Sequence, residues 1–150
     1  MRTIALRFTD RFAPKEGTIV AHQHIIDEYG FVWYGKMGTA VSNAVIKEIE
    51  KDNNAKILLI HSGKTDRYWA CVDKIQREKP DQEFIPAYYR DNTDNFKTWF
   101  RIIRFEMASR DILSKCIVPS SGNTLSYTSR YSMSPYYIIE YNENDEEPLT

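Results

Sequence analysis

The chain has 150 residues, a length typical of one folded domain, and its 42% hydrophobic and 27% charged residues exclude wholesale disorder and fibrous repeats. No apolar run approaches the ~20 residues of a membrane helix, and no apolar block follows a basic start, so we expect a soluble, unexported, cytoplasmic protein. The two cysteines, Cys71 and Cys116, form no CxxC pair and have no metal-ligand spacing with histidine. We therefore expect reduced thiols, no metal site and no cofactor.

The negative charge is concentrated near the C-terminus, at Glu140, Glu143, Asp145, Glu146 and Glu147. Removing these five charges from the net charge of −1 leaves +4 on residues 1–139. A mildly basic body is compatible with a small nucleic-acid footprint, but it lacks the dense positive charge of proteins that grip phosphates non-specifically.

The first half of the chain predicts two strands and two helices. Residues 2–8 alternate apolar and polar side chains with a period of two, which predicts a strand. Thr18 can cap a helix that Gly30 ends. The bulky residues 31–34 favour a second strand. Ser42 can then cap a second, amphipathic helix.

The second half is mostly strand, with one short helix capped by Ser109. The resulting order β-α-β-α-β-β-β-α-β is not the steady alternation of a doubly wound sheet, and it predicts antiparallel neighbours. We therefore predict an α+β domain over residues 1–141, built on a curved sheet or partly closed barrel, and a frayed acidic tail over residues 142–150. The later strands are predicted at residues 56–61, 68–75, 97–105 and 136–141.

Local patterns give no catalytic signature. The segment His61-Ser62-Gly63-Lys64-Thr65 invites comparison with a phosphate-binding loop, but Leu58 stands where that motif needs its first glycine. His22 and His24 are two positions apart on a predicted helix, so they point ~200° apart. Residues 91–95 contain an acid pair but consist of turn formers. Only Ser62 stays of interest, because a strand-end loop can aim polar donors at a planar ligand.

The aromatic residues form a more specific pattern, since they make up 13% of the chain and cluster along it. Two or three aromatic faces hold a flat heteroaromatic ring well, because stacking is worth ~1–3 kcal/mol per base. Neighbouring residues of a strand face opposite sides, so at most one of each adjacent pair is expected to line a pocket. The clusters are Trp33 with Tyr34, Tyr68 with Trp69, Tyr88 with Tyr89, and Phe96 with Trp99 and Phe100.

Three blocks follow one another in the chain: Trp33-Tyr34 after an amphipathic helix, the strand-turn-strand unit Leu58 to Ile75, and the strand Thr98 to Phe105 leading into Ser109 to Leu113. Over residues 31–140 this order resembles the PUA-like superfamily, particularly EVE and YTH domains. The stretch Leu125 to Pro135 is also similar to the "L…R-x-S-V-x-P" ending typical of EVE domains.

The resemblance implies a pseudo-barrel of five or six strands flanked by short helices, with a pocket that accepts an extruded, often methylated base. It implies that Trp33 or Tyr34 forms one wall of an aromatic cage and that Ser62 lies at the rim. Tyr88, Tyr89 and Trp99 are the candidates for another wall. The cations that this arrangement would place near phosphates are Lys36, Lys64, Arg67, Arg90 and Lys97.

The sequence thus predicts a non-catalytic domain that reads a modified base in DNA or RNA. A binder of a free nucleotide or nucleotide-derived signal is an alternative with the same pocket chemistry. A small ribonuclease using His22, His24 or His61, and a protein-interaction module with exposed aromatic anchors, are alternatives of other classes. The sequence leaves the oligomeric state open.

Overall fold

A six-stranded sheet with helices on both faces forms the fold of the computed structural model, which describes residues 1–142. All of the predicted acidic tail except Asn142 lies outside the described residues. The strands are β1 (Arg2–Phe8), β2 (Val32–Met37), β3 (Lys56–His61), β4 (Arg67–Gln76), β5 (Phe96–Met107) and β6 (Tyr137–Glu140). The helices are α1 (Thr18–Tyr29), α2 (Asn43–Glu50), α3 (Ile112–Lys115) and α4 (Leu125–Tyr131), and two 3₁₀ segments cover Gln82–Phe84 and Ala87–Asn95.

The sheet is mixed and open. Its strand order is β2-β5-β4-β3-β1-β6, and β1 and β3 are the one parallel pair in that order. Strands that follow each other without an α-helix, β3 with β4 and β4 with β5, pair antiparallel as expected. The predicted α+β sheet flanked by short helices is therefore confirmed.

Both faces of the central strands are buried. Ile4, Leu6 and Phe8 of β1 join the core that packs under α1 and α2, while Ala5 joins a second core with α3 and α4. Because the sheet is covered on both sides, β1 is almost continuously buried despite its alternating sequence. Because helices cover both faces, a site formed by loops is expected at an end of the sheet, such as the C-terminal end of β1.

Four local predictions are corrected. Thr18 does not cap α1, because it is the first helical residue and Gly17 precedes it at the cap position without a side-chain hydrogen bond. Helix α4 lies where only a family-like ending was expected, and its N-terminus is capped by Thr124, whose Oγ1 accepts a hydrogen bond from Tyr127 N at 3.2 Å. The expected loop before β5 is a 3₁₀ segment, Ala87–Asn95, kinked at Asn92. Ser109 does not cap α3, because Asp111 is the residue that precedes the first turn.

Candidate functional site

A cavity of about 410 Å³ lies where β1, β2, the loop after β1 and the 3₁₀ segment Ala87–Asn95 meet. We call it the aromatic cavity. Its aromatic lining comes from five elements of the chain: β1, the loop after it, β2, the 3₁₀ segment and the start of β5. These rings belong to Phe8, Tyr34, Tyr88, Tyr89 and Phe96, and Phe12 adds one from the loop.

Tyr89 is the centre of the aromatic wall. Its ring centroid lies 4.8 Å from that of Tyr88 and 4.6 Å from that of Phe96, with interplanar angles of 72° and 37°. The Tyr88–Tyr89 pair has the edge-to-face arrangement that aromatic quadrupoles favour, and the Tyr89–Phe96 pair is tilted. Burial raises the pKa of the hydroxyl groups of Tyr34 and Tyr89, so both rings stay neutral at physiological pH. The wall is therefore uncharged, and its rings of Tyr34, Tyr89 and Phe96 are buried.

Gly35 allows this wall to pack tightly. A Cβ atom placed on Gly35 would lie 2.7 Å from the ring of Phe96 and 3.0 Å from the ring of Trp99. Gly35 is the register partner of Trp99 across the β2–β5 pair, so the indole lies over the bare backbone. A glycine at this position is thus required for Phe96 to reach the cavity.

His22 supports the tyrosines from behind. The side chain is fully buried, and its ring centroid lies 5.3 Å from that of Tyr34 and 5.2 Å from that of Tyr89. Nδ1 lies 2.8 Å from the carbonyl oxygen of Thr18, which can only accept, so Nδ1 carries the proton. Burial lowers the pKa of His22 to about 4. The imidazole is therefore neutral at physiological pH and braces the wall.

Polar groups line the opposite side and the mouth. Thr9, Thr18, Ser62, Asn92 and Asn95 contribute side chains or backbone there. Amide and hydroxyl groups of this kind supply both donors and acceptors, which the edge of a nucleobase requires. The cavity thus combines stacking faces with groups able to read a polar edge.

Asp10 holds the loop of this mouth in place. Its carboxylate accepts a hydrogen bond from Thr18 N at 2.9 Å and lies 2.7 Å from His61 Nε2. Partial burial raises the pKa of Asp10, but the hydrogen bonds from Thr18 and the nearby His61 outweigh it and leave the pKa below its usual value. Asp10 therefore ties together the loop, the start of α1 and the end of β3.

Two cations line the cavity, Arg7 and Lys36. Lys36 Nζ donates to the carbonyl oxygens of Met37 at 3.2 Å and Thr39 at 2.5 Å, and lies 5.6 Å from the centroid of the Tyr136 ring. Burial lowers the pKa of Lys36. These contacts fix the ammonium group at the side of the cavity.

The cavity brings together five of the residues singled out from the sequence: Tyr34, Lys36, Ser62, Tyr88 and Tyr89. Neighbouring residues of a strand face opposite sides, and at β2 Tyr34 lines the cavity whereas Trp33 does not. Trp33 and Trp99 lie instead in a buried cluster with Ile85, behind the wall. The ring centroid of Trp99 lies 6.1 Å from that of Tyr89 and 5.1 Å from that of Phe96, so Trp99 packs against the wall. Contact of Trp33 or Trp99 with a ligand stays a prediction.

The other cations singled out for phosphate contact do not line the cavity. Arg67 donates to the carbonyl oxygen of Thr65 in the β3–β4 turn, and Arg90 Nε donates to that of Gln82 at 3.3 Å. Lys97 Nζ donates to the carbonyl oxygen of Asp94 at 3.0 Å. Lys64 lies exposed in the turn next to Ser62. Their contact with phosphate stays a prediction.

Several lining residues cannot be predicted from sequence patterns: Arg7, Thr9, Phe12, Asn92 and Asn95. Arg7 and Thr9 lie at the end of β1, and Phe12 follows in a loop with no periodic pattern. The two asparagines belong to a run of turn-forming residues that predicts a solvated turn, and both are exposed. One feature of the sequence indicates a site here: a predicted strand ends and a polar loop follows it. Binding residues are often found in such loops.

The comparisons with known proteins support the same fold. A protein-family model described as Pua-like matches residues 4–139. The chain belongs to the PUA-like family. The match includes residues 4–30, which the sequence resemblance did not cover and which supply part of the cavity. PUA-like domains bind nucleic acids as a class.

No curated protein and no solved structure matched the chain in the other two comparisons. Within residues 1–142, no helix is long and apolar enough to cross a membrane. The same residues contain no cluster of three or more histidine, cysteine, aspartate or glutamate side chains arranged to hold a metal ion.

Proposed function

We propose that this PUA-like domain is a non-catalytic reader that holds a modified, possibly methylated base of DNA or RNA in the aromatic cavity. The single observation that carries the proposal is the convergence of rings from separate chain segments on one cavity of about 410 Å³. This volume lies within the ~300–1,000 Å³ range of small-ligand sites. A base extruded from its strand is a ligand of matching shape and polarity.

The favoured orientation of the base follows from the lining. The half-buried Tyr88 offers a ring face for the heterocycle, and the buried rings of Tyr34, Tyr89 and Phe96 lie around it. Ser62 and Asn95 offer groups for the polar edge of the base. A methyl group on the base would occupy apolar space beside these rings, with a gain of ~0.8 kcal/mol per buried carbon. Methylation therefore strengthens binding only about fourfold per methyl group.

The phosphate beside the extruded base would meet Arg7 and Lys36, the cations that border the cavity. Both side chains already make fixed contacts with the protein, so little conformational entropy is lost when an anion approaches them. Phosphate contacts of this kind fix the position of the strand, whereas contacts with the base decide the specificity.

The direct test compares short oligonucleotides with and without one methylated base for binding to the wild type, Tyr88→Ala and Asn53→Ala. Tyr88 is half-buried at the cavity, and Asn53 is an exposed residue outside it. We expect Tyr88→Ala to weaken binding by about tenfold, as loss of one stacking face does, and Asn53→Ala to leave it unchanged. Equal affinity for all oligonucleotides, independent of Tyr88, would contradict the proposal.

A free nucleotide or nucleotide-derived signal is the second candidate. It is favoured by one observation: just two cations, Arg7 and Lys36, line the cavity in the described part of the chain, which is enough for one phosphate group but not for an extended backbone. Calorimetry separates the candidates, because a free nucleotide ligand would bind at least as tightly as an oligonucleotide that contains the same base.

A further inference from the structure

We propose that the exposed face of α4 and the residues just after it carry the bases next to the one held in the aromatic cavity. This surface, which we call the α4 platform, consists of Tyr127, Tyr131 and Met133. The proposal rests on the proposed function, since it extends the path of a single-stranded nucleic acid beyond the cavity. The α4 platform is a second stacking site, and none of its three residues lines the cavity.

The platform is a group of large apolar side chains with little cover. Tyr127 is 55% exposed, Tyr131 is 69% exposed and Met133 is 87% exposed. The two tyrosines are one turn apart on the same side of α4, and their ring centroids lie 4.9 Å apart with an interplanar angle of 48°. Single exposed apolar residues are ordinary, but grouped ones mark an interaction surface.

Arg7 connects the platform to the cavity. Its side chain lines the cavity, while Nη1 lies 3.0 Å from Met133 Sδ and Nη2 donates to the carbonyl oxygen of Ser129 in α4. Pro135, which follows Met133 closely in the chain, also lines the cavity. The platform therefore begins where the cavity ends, with a guanidinium group between the two.

The distances suit neighbouring nucleotides of one strand. Pro135 of the cavity lining and Met133 of the platform are two residues apart, so their Cα atoms are separated by at most ~7 Å. Bases in a stacked strand follow each other at ~3.4 Å, and the platform is thus within reach of the next one or two nucleotides. A base that leaves the stack to enter the cavity exposes its neighbours, and tyrosine rings can stack on them.

The charge of this part of the chain favours a polyanion as the occupant. No aspartate or glutamate occurs between Asp111 and Glu140, whereas Lys115 and Arg130 lie within that stretch. Arg7 adds a further positive charge at the border with the cavity. Aromatic rings next to basic side chains are the combination by which proteins bind single strands with little sequence preference.

The test measures binding of a mononucleotide and of a single-stranded pentanucleotide with the same modified base at its centre. The variants are the double substitutions Tyr127→Ala/Tyr131→Ala and Tyr127→Phe/Tyr131→Phe. We expect the alanine variant to bind the pentanucleotide about fivefold to a hundredfold more weakly and the mononucleotide as tightly as the wild type. The phenylalanine variant keeps both rings, so its affinity for the pentanucleotide should equal that of the wild type.

The outcomes separate this proposal from the one on which it rests. Wild-type affinity of the alanine variant for the pentanucleotide would overturn the platform and leave the cavity proposal standing. Failure of the wild type to bind either ligand would overturn both. Concentration-dependent dimerisation that the alanine variant loses, with unchanged pentanucleotide binding, would show that a second copy of the chain covers this surface instead.

Discussion

Two cavities of similar size lie at different places on this sheet, and their linings differ. The aromatic cavity has a volume of about 410 Å³, and a second cavity, between the turn after α2 and strand β4, has about 480 Å³. No aromatic ring lines the second cavity within the described residues. Its polar lining is formed by Glu50, Asp52, Asn53, Asn54, Asp73, Lys74 and Arg104.

The comparison shows that volume alone does not select a ligand. Two charged groups at the second cavity already have partners, since Asp73 pairs with Arg101 at 2.7 Å and Arg104 pairs with Glu106 at 2.9 Å. A heterocycle placed there would lose water contacts without gaining a stacking face. In the aromatic cavity the same heterocycle meets uncharged rings that are held in place by buried neighbours.

The largest expected effect is on the free energy of unfolding, and it comes from His22, which packs behind the aromatic cavity. In the unfolded chain His22 takes up a proton near its ordinary pKa of 6.5, whereas in the folded state it does so only near about 4. The unfolded state therefore binds more protons within this window, and the free energy of unfolding falls as the pH drops from 6.5 to 4. The loss from this residue reaches about 3 kcal/mol.

Denaturant unfolding across this pH range, compared between the wild type and His22→Phe, measures that contribution. The phenylalanine variant should lose less stability on acidification, because it has no imidazole to protonate. Asn53→Ala, at the second cavity, should follow the wild-type pH dependence. Parallel curves for the wild type and His22→Phe would show that His22 does not couple acid to unfolding.

An intermediate effect is expected for Gly35→Ala, which places a methyl group against Phe96 and Trp99. Overpacking of this kind costs about 1–3 kcal/mol of unfolding free energy, and the displaced Phe96 ring should also weaken base binding. Gly30→Ala is the matched control. Its φ of 89° makes the substitution strained, but nothing lies within 4 Å of the new Cβ atom.

The control should therefore lower stability by roughly 1–2 kcal/mol without changing the affinity for the base. Urea denaturation and calorimetry on both variants give the two quantities. If Gly35→Ala bound the base as tightly as Gly30→Ala, the position of Phe96 would not matter for the ligand.

The smallest effect is expected from a matched pair of exposed asparagines. Asn95 lines the aromatic cavity and Asn53 lines the second one. Substituting either by alanine should change stability by less than about 0.5 kcal/mol. Asn95→Ala should weaken base binding about fivefold, the equivalent of one hydrogen bond, and Asn53→Ala should not. Equal affinities of the two variants would remove Asn95 from the site.

Much of the fold could be predicted because local signals agree with the tertiary structure. Strands β1 and β3 have the predicted bounds, and Gly30 ends α1 in a left-handed conformation with a φ of 89°. Helix α4 gave no such signal. It is short and rich in serine and tyrosine, with just Leu125 buried, so its stability comes from the Thr124 cap and tertiary packing.

The site could be predicted only in part, for a geometric reason. Alternation along β2 shows that Trp33 and Tyr34 face opposite sides, but which side holds the cavity depends on the pairing of Gly35 with Trp99. The loop that carries Phe12 is positioned by the long-range pair of Asp10 and His61. Neither contact leaves a periodic pattern in the sequence.

The pairing of β1 has a consequence for how the chain acquires its structure. β1 lies between β3 and β6, and Arg2 contacts Glu140 across a separation of 138 residues. Topologies dominated by such distant contacts fold slowly. Since Pro135 completes the cavity just before β6, a nascent chain on the ribosome can form its ligand pocket only after Pro135 has been synthesised.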